Sequence, residues 1–197
     1  MNLFYKLFAK NNRENFDISN LIWSWIGSFL GLFAIAFFHR NFLDDSDLTL
    51  VLSSFGASAV LIYGAINSPL AQPKNLIGGH IISAIIGVFC YKLFGENLLF
   101  AAAIAVSSSI LVMQLTLTLH PPGGATALIA VIGTPQIHDL GYFFVIFPVF
   151  SGALILFLIA FVINKKKKNR AYPESFKNYL KKKYQRYKRR SLKRDKK

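Results

Sequence analysis

The stretch Leu119-His120-Pro121-Pro122-Gly123-Gly124-Ala125-Thr126-Ala127-Leu128-Ile129-Ala130-Val131-Ile132-Gly133-Thr134-Pro135 decides the fold. It is apolar, free of charge and punctuated at both ends. Pro121 and Pro122 lack N–H groups and suit a helix start, where those donors are unpaired anyway. Gly133-Thr134-Pro135 then stops the helix. The segment between, 122–133, is about twelve residues long, whereas a lipid-crossing helix needs about twenty. Such a short piece at membrane depth is allowed where it is buried in protein or lines a cavity. It reads as a half-helix.

Five longer apolar runs surround it, at 21–38, 48–66, 76–93, 97–119 and 140–163. The first and last carry no charge, and the third carries His80 and Lys92. The segment Gly56-Ala57-Ser58-Ala59-Val60-Leu61-Ile62 resembles Gly124-Ala125-Thr126-Ala127-Leu128-Ile129-Ala130, and each runs on to a hydroxyl–proline pair, Ser68-Pro69 or Thr134-Pro135. This suggests an internal repeat of helix, small-residue helix, helix. Chance likeness among Gly/Ala/Leu-rich segments is the alternative. Interrupted segments in corresponding places of two halves point to a transporter's binding site. The expected fold class is therefore all-α: a polytopic transmembrane helix bundle with two short broken or re-entrant helices and an internal repeat. Glycines at Gly56 and Gly124 are expected to let these segments pack closely together at the bundle centre.

Composition agrees. Of 197 residues 53% are hydrophobic, 16% are charged, and mean hydropathy is +0.41, against about a quarter charged in soluble domains. Basic charge is concentrated in one place: residues 164–197 carry seventeen Lys or Arg against two acids, and the remainder has a net charge of −1. The chain divides into an N-terminal segment 1–20, a membrane domain 21–163 and a basic tail 164–197. Residues 1–20 show no order of basic, apolar and cleavage-site regions expected of a leader. Lys6, Lys10, Arg13 and the tail flank the spans on one side, and Asp44, Asp45 and Asp47 lie in the first loop. The positive-inside rule then places both termini in the cytoplasm of a multi-pass cell-membrane protein. Four full helices plus two re-entrant pieces, or six crossings, satisfy this equally. Lys165, Lys166, Lys167 and Lys168 open the tail and suit contact with anionic lipids; they also serve simply as a topology determinant. Tethering to a membrane argues against nucleic acid as partner.

Two polar clusters lie among the apolar runs, where such groups are expensive. One is Asn67–Asn75 with Gly78-Gly79-His80, the other Leu119–Thr126. Helix breaks free N–H donors, and a helix start carries about half a positive charge. Ser68, Gln72, Asn75 and His80 facing His120, Gly123, Gly124 and Thr126 would make an anion site without Lys or Arg, with Pro121 and Pro122 fixing the half-helix. His120 reads as a cap for freed carbonyls, a substrate contact or a proton-coupling group. His80 reads as a packed hydrogen-bonding residue or a site residue, and His39 and His138 as interfacial. Two histidines without nearby Cys or acids give too few metal ligands, and no cofactor is indicated. Ser107-Ser108-Ser109, Gln114, Thr116 and Thr118 form a polar stripe, read as helix–helix glue or as path lining. Cys90, the single cysteine, reads as a buried thiol.

The blocks Leu119–Leu128 and Ser68–His80 together resemble the signature of the HPP family of integral membrane proteins, over about residues 20–165. That resemblance implies four transmembrane helices and a permease, since some plant and cyanobacterial members are nitrite transporters. The basic tail has no counterpart in it. A small inorganic anion such as nitrite is the implied substrate. A structural or regulatory membrane subunit is the competing reading. A membrane enzyme would need a nucleophile with a base or paired carboxylates, and apart from Asp139 no acid lies between Glu96 and Glu174. The chain's small size suggests a homo-oligomer to enclose a pathway.

Overall fold

The computed structural model describes residues 18–165 and 172–173, so the expectations placed on residues 1–17, on Lys166, Lys167 and Lys168 and on most of the tail lie outside the described residues. Seven α-helices and no strand occur among the described residues. They are α1 (Ile18–His39), α2 (Asp45–Ala59), α3 (Pro73–Phe94), α4 (Leu98–Leu115), α5 (Pro121–Ile132), α6 (Pro135–Leu140) and α7 (Ser151–Lys165). A π turn, Val60–Gly64, prolongs α2; a 3-10 turn, Pro69–Ala71, precedes α3; a π stretch, Val145–Phe150, leads into α7. Five of the resulting helical runs are long and apolar enough to cross a membrane, including Asp45–Gly64 and Val145–Asn164.

Each helix start has a local cause. Asp44 caps α2 by accepting the Asp47 N–H at 2.8 Å, and Asn97 caps α4 by accepting that of Phe100 at 3.1 Å. Prolines open α3, α5 and α6, where no donor is lost. On α1 the four-residue spacing separates two faces. Gly27, Gly31, Ile35 and His39 point inward, and Trp25, Phe29, Phe33 and Phe37 form an outward ladder whose adjacent rings stack. Outward apolar rings suit a lipid solvent.

Contacts trace the chain through the bundle. Ser24 near the start of α1 donates to the Tyr63 carbonyl at the end of α2 (2.8 Å), and Tyr172, beyond α7, donates to the Ala71 carbonyl (3.0 Å). The Asn75 amide, at the start of α3, donates to the Leu119 carbonyl that follows α4 (2.8 Å). These features share one end of the bundle, the near end. At the far end His39 meets Ser151, Gln136 accepts the Asp44 N–H, and Thr134 bonds Asp47. The chain therefore traverses the bundle six times. The fifth passage is α5, which spans about 18 Å at 1.5 Å per residue and is preceded by the non-helical approach Leu117–His120. Leu117 lies in the left-handed region (φ 57) where the chain turns back. Re-entrant segments are not needed: the second apolar run is a full traverse, and only α5 is short.

The second triplet of traverses, α4, α5 and α7, runs opposite to the first, α1, α2 and α3. The hydroxyl–proline pairs play one part at opposite ends. Ser68 Oγ accepts from the Leu70 N–H and Thr134 Oγ1 from the Gln136 N–H, both at 3.2 Å.

The expected glycine crossing is not where the sequence likeness put it. A methyl on Gly56 would meet nothing within 4 Å, and one on Gly124 would touch only Val106 at 3.7 Å. The close contact lies between α3 and α5 instead. A methyl on Gly79 would fall 2.5 Å from His120 Cβ, on Gly123 2.7 Å from Ser83 Oγ, and on Gly87 2.6 Å from the Ala127 carbonyl oxygen. Gly79, Ser83 and Gly87 recur every four residues, the spacing that lets two backbones approach. Gly56 lies off this crossing and Val60, one turn on, is largely exposed, while Ser58, Ala59, Ile62 and Tyr63 of the same run are buried.

Candidate functional site

At the centre of this close crossing, α2, α3 and α5 converge on a buried polar cluster: Ser54 and Ser58 of α2, His80 of α3, His120 before α5, and Thr126 within it. Glycines in α3 and α5 bring the two backbones close enough for His80 and Thr126 to meet. The Pro121-Pro122 start holds His120 outside the helix in extended geometry (φ −138, ψ 105), which turns its ring toward α2.

The cluster is one continuous chain of hydrogen bonds. His120 Nδ1 lies 2.8 Å from the Leu70 carbonyl oxygen, and Nε2 lies 2.9 Å from Ser58 Oγ. Ser58 Oγ lies 2.8 Å from His80 Nε2, His80 Nδ1 lies 2.7 Å from Thr126 Oγ1, and Thr126 Oγ1 lies 2.9 Å from Ser54 Oγ. The two imidazoles meet edge to face with centroids 5.0 Å apart, and Phe55 covers His80 at 4.8 Å.

A carbonyl can only accept, and with every buried group required to be satisfied this gives the whole chain one direction. His120 Nδ1–H donates to Leu70. In neutral His120 the Nε2 atom must then accept, so Ser58 O–H donates to it at 2.9 Å rather than to the more distant Ser54 carbonyl oxygen at 3.3 Å. Ser58 oxygen is left to accept from His80 Nε2–H. His80 Nδ1 accepts from Thr126 O–H. Ser54 O–H completes the series, dividing itself between Thr126 Oγ1 and the Pro122 carbonyl oxygen at 3.0 Å. The two histidines therefore hold opposite tautomers, and every member is satisfied without a charge, as a buried polar network must be.

The expected site residues divide accordingly. His80, His120 and Thr126 come together. Pro121, Pro122, Gly123 and Gly124 form the first turn beside them, but the Gly123 N–H already donates to the His120 carbonyl at 2.8 Å. Contrary to expectation, that donor is not free for an anion. Ser68, Gln72 and Asn75 stand apart from the cluster. Ser68 caps the 3-10 turn, Gln72 Nε2 donates to the Ile66 and Ser68 carbonyls (3.1 and 3.2 Å), and Asn75 ties α3 to Leu119. Ser68 and Gln72 shape the loop that supplies the Leu70 carbonyl, and Asn75 holds the approach to His120. No gap separates the two sequence blocks: His80 bonds Thr126 directly. Ser54 and Ser58 went unrecognised. The signal for them was present, two hydroxyls four residues apart on one face of an apolar helix.

The polar stripe of α4 is mostly turned on itself. Ser107, Ser109 and Thr116 donate to carbonyls four residues back at 2.7 to 2.9 Å. His39, expected at an interface, is buried between α1 and α7: its ring bonds the Ile35 carbonyl (2.7 Å) and Ser151 Oγ (2.9 Å) and stacks on Phe147. His138 is half-buried and stacks on Tyr91 at 3.7 Å. Both rings line the far end, where a cavity of about 300 Å3 opens beside Tyr91, Lys92, His138 and Asp139. Cys90 is buried, as expected.

Comparison with known proteins adds family and length. Two transmembrane proteins of Dictyostelium discoideum are similar: one is 46% identical and the other 42% identical over 160 residues, 80% of this chain. The aligned part is 56% and 51% of those proteins, so the chain spans about half the length of the curated relatives it matches. No solved structure matches the chain. The profile of the HPP transmembrane region matches residues 13–173, which takes in all six traverses, both proline–glycine blocks and the histidine cluster, and the chain therefore belongs to the HPP family of membrane proteins.

Proposed function

We propose that this protein is a permease for a small inorganic anion such as nitrite, and that it is not an enzyme. The observation that carries the reading is a neutral, donor-rich cluster at the recessed start of α5, inside a bundle whose two triplets run in opposite directions. Interrupted helices at the junction of inverted halves are where transporters hold their substrates. Polar groups in that position are costly, and a function is the default explanation. Each neutral bond in the cluster is worth about 1 kcal/mol net. An anion can therefore replace these bonds one at a time, taking Ser58, Thr126 and imidazole N–H donors, and leave again without breaking an ion pair.

The proposed setting is the cell membrane with both termini cytoplasmic, the near end facing the cytoplasm. The basic tail, with Lys165 at the end of α7, would then meet anionic lipid. A homo-oligomer is the assembly we propose for enclosing the pathway, and nucleic acid is not a partner.

One observation favours the second reading, a structural or regulatory subunit: the cluster's hydrogen bonds are closed within the protein. Flux decides between them. Purified protein in liposomes should take up nitrite faster than protein-free liposomes, and His120→Ala should lower the rate in correctly inserted protein. Wild-type liposomes no faster than bare lipid would leave the subunit reading standing.

A further inference from the structure

The hydrogen-bond chain is directional, and direction is a property packing alone does not require. We propose that Thr126, His80, Ser58 and His120 form a proton relay that takes up one proton and holds it on His120, so that the anion crosses together with a proton; this rests on the permease reading.

The step balances as follows. A proton from water binds at the Thr126 end. Thr126 O–H passes its own proton to His80 Nδ1, which lies 2.7 Å away. His80 Nε2–H passes to Ser58 Oγ at 2.8 Å, and Ser58 O–H passes to His120 Nε2 at 2.9 Å. At Thr126, His80 and Ser58 one bond to hydrogen forms as one breaks, at His120 one forms and none breaks, and no heavy atom moves. The positive charge comes to rest on His120. Its new Nε2–H then faces Ser58 and its Nδ1–H still donates to the Leu70 carbonyl, so both N–H groups of the imidazolium are satisfied. The carbonyl is not basic enough to take the proton, so the relay stops there until water replaces Leu70. Leu70 is half-buried on the near-end turn, which makes that end the exit.

The neighbours leave the charge uncompensated. From α2 the facing groups are Ser54, Phe55 and Ser58; from α3, Gly79 and Ser83; from the α4 side, Met113 and Thr118; from α5, Thr126. On the turn that holds Leu70, the Tyr172 phenol donates to the Ala71 carbonyl. None of these is a carboxylate. An imidazolium alone in this position is costly, and an anion bound beside it removes that cost. Proton and anion thus favour each other's binding, which is coupling by definition.

The test uses the full chain in liposomes that enclose a pH-sensitive dye, with nitrite added outside and protein-free liposomes subtracted for passive nitrous acid. The interior should acidify in step with nitrite uptake. Ser58→Ala should slow acidification by about 100-fold, the low end for loss of a positioned proton-transfer group, and by more than it slows nitrite uptake, and Ser58→Thr should restore it. Nitrite uptake by the wild type without acidification overturns the relay and leaves the permease; absence of uptake overturns both. Nitrogen-15 NMR of the wild type in lipid nanodiscs supplies a readout independent of flux. It should show His120 protonated at Nδ1 and His80 at Nε2, and a common tautomer at both overturns the relay.

Discussion

Gly79 of α3 sits where any side chain would collide with the approach to α5: a methyl there falls 2.5 Å from His120 Cβ and 2.9 Å from the Thr118 carbonyl oxygen. The second of these is backbone and cannot rotate away. Gly79→Ala should therefore separate α3 from α5 and cost about 1–3 kcal/mol, the range for overpacking a filled site. Gly56→Ala meets nothing within 4 Å and should be neutral, or stabilising by up to about 1 kcal/mol through helix propensity. Thermal unfolding of both variants in detergent checks the order, and a Gly56→Ala loss as large as that of Gly79→Ala would move the close crossing back to α2.

The far end is latched by one buried acid. Asp47 is fully buried, and both its carboxyl oxygens are occupied by Thr134, from the N–H at 3.0 Å and from Oγ1 at 2.5 Å. The latch joins the start of α2 to the corner after α5. Hydrogen bonds to a charged partner contribute about 1.5–3 kcal/mol. Thr134→Val and Asp47→Asn should each destabilise, and together by less than the sum, with about 0.5–3 kcal/mol of coupling. Strict additivity in a double-mutant cycle would mean that the contact contributes nothing.

The chain path makes a labelling prediction. Asp45, Glu96 and Asp139 are exposed around the far end, and Asn67 is exposed at the near end. Single cysteines at these positions, in a background where buried Cys90 is Ala, should label from outside at 45, 96 and 139 and from the cytoplasm at 67. Position 45 labelled only from the cytoplasm would reverse the orientation. Positions 96 and 139 on different sides would mean that α5 does not cross.

Much of this was legible in the sequence because lipid imposes simple rules. Apolar runs of about twenty residues give the traverses, and the Pro121-Pro122 and Gly133-Thr134-Pro135 boundaries give α5 to within a residue. His80, His120 and Thr126 were identifiable as costly polar groups in apolar surroundings. Ser54 and Ser58 were not, since serines in membrane helices commonly bond their own backbone, as Ser107 and Ser109 do here. Nor could the close crossing be assigned. The repeat pointed to Gly56, but which face of α2 turns inward is set by contacts distant in sequence, and here Ser54 and Ser58 face the centre. Ser68, Gln72 and Asn75 share a block with His80 for a reason the spacing concealed: the first two build the turn that carries Leu70, and Asn75 ties α3 to Leu119 beside His120.

Thr126→Val tests the site with the least disturbance, because valine keeps the shape and removes a single hydroxyl. Thr126 is buried, donates to His80 Nδ1 and accepts from Ser54. In the variant Ser54 keeps its other acceptor, the Pro122 carbonyl oxygen at 3.0 Å. Only His80 Nδ1 is then orphaned, at a cost of about 1–3 kcal/mol, small enough for the protein to remain folded. If nitrite takes its donors from this cluster, one lost donor of about 1.4 kcal/mol raises the half-saturating concentration about tenfold. Asn75→Ala provides the contrast. It removes the 2.8 Å tie to Leu119 and should lower thermal stability with little change in half-saturation. Nitrite concentration series on both variants in liposomes read this directly. Equal half-saturation in Thr126→Val and wild type would place the anion elsewhere, and the cavity beside Lys92 would be the next position to examine.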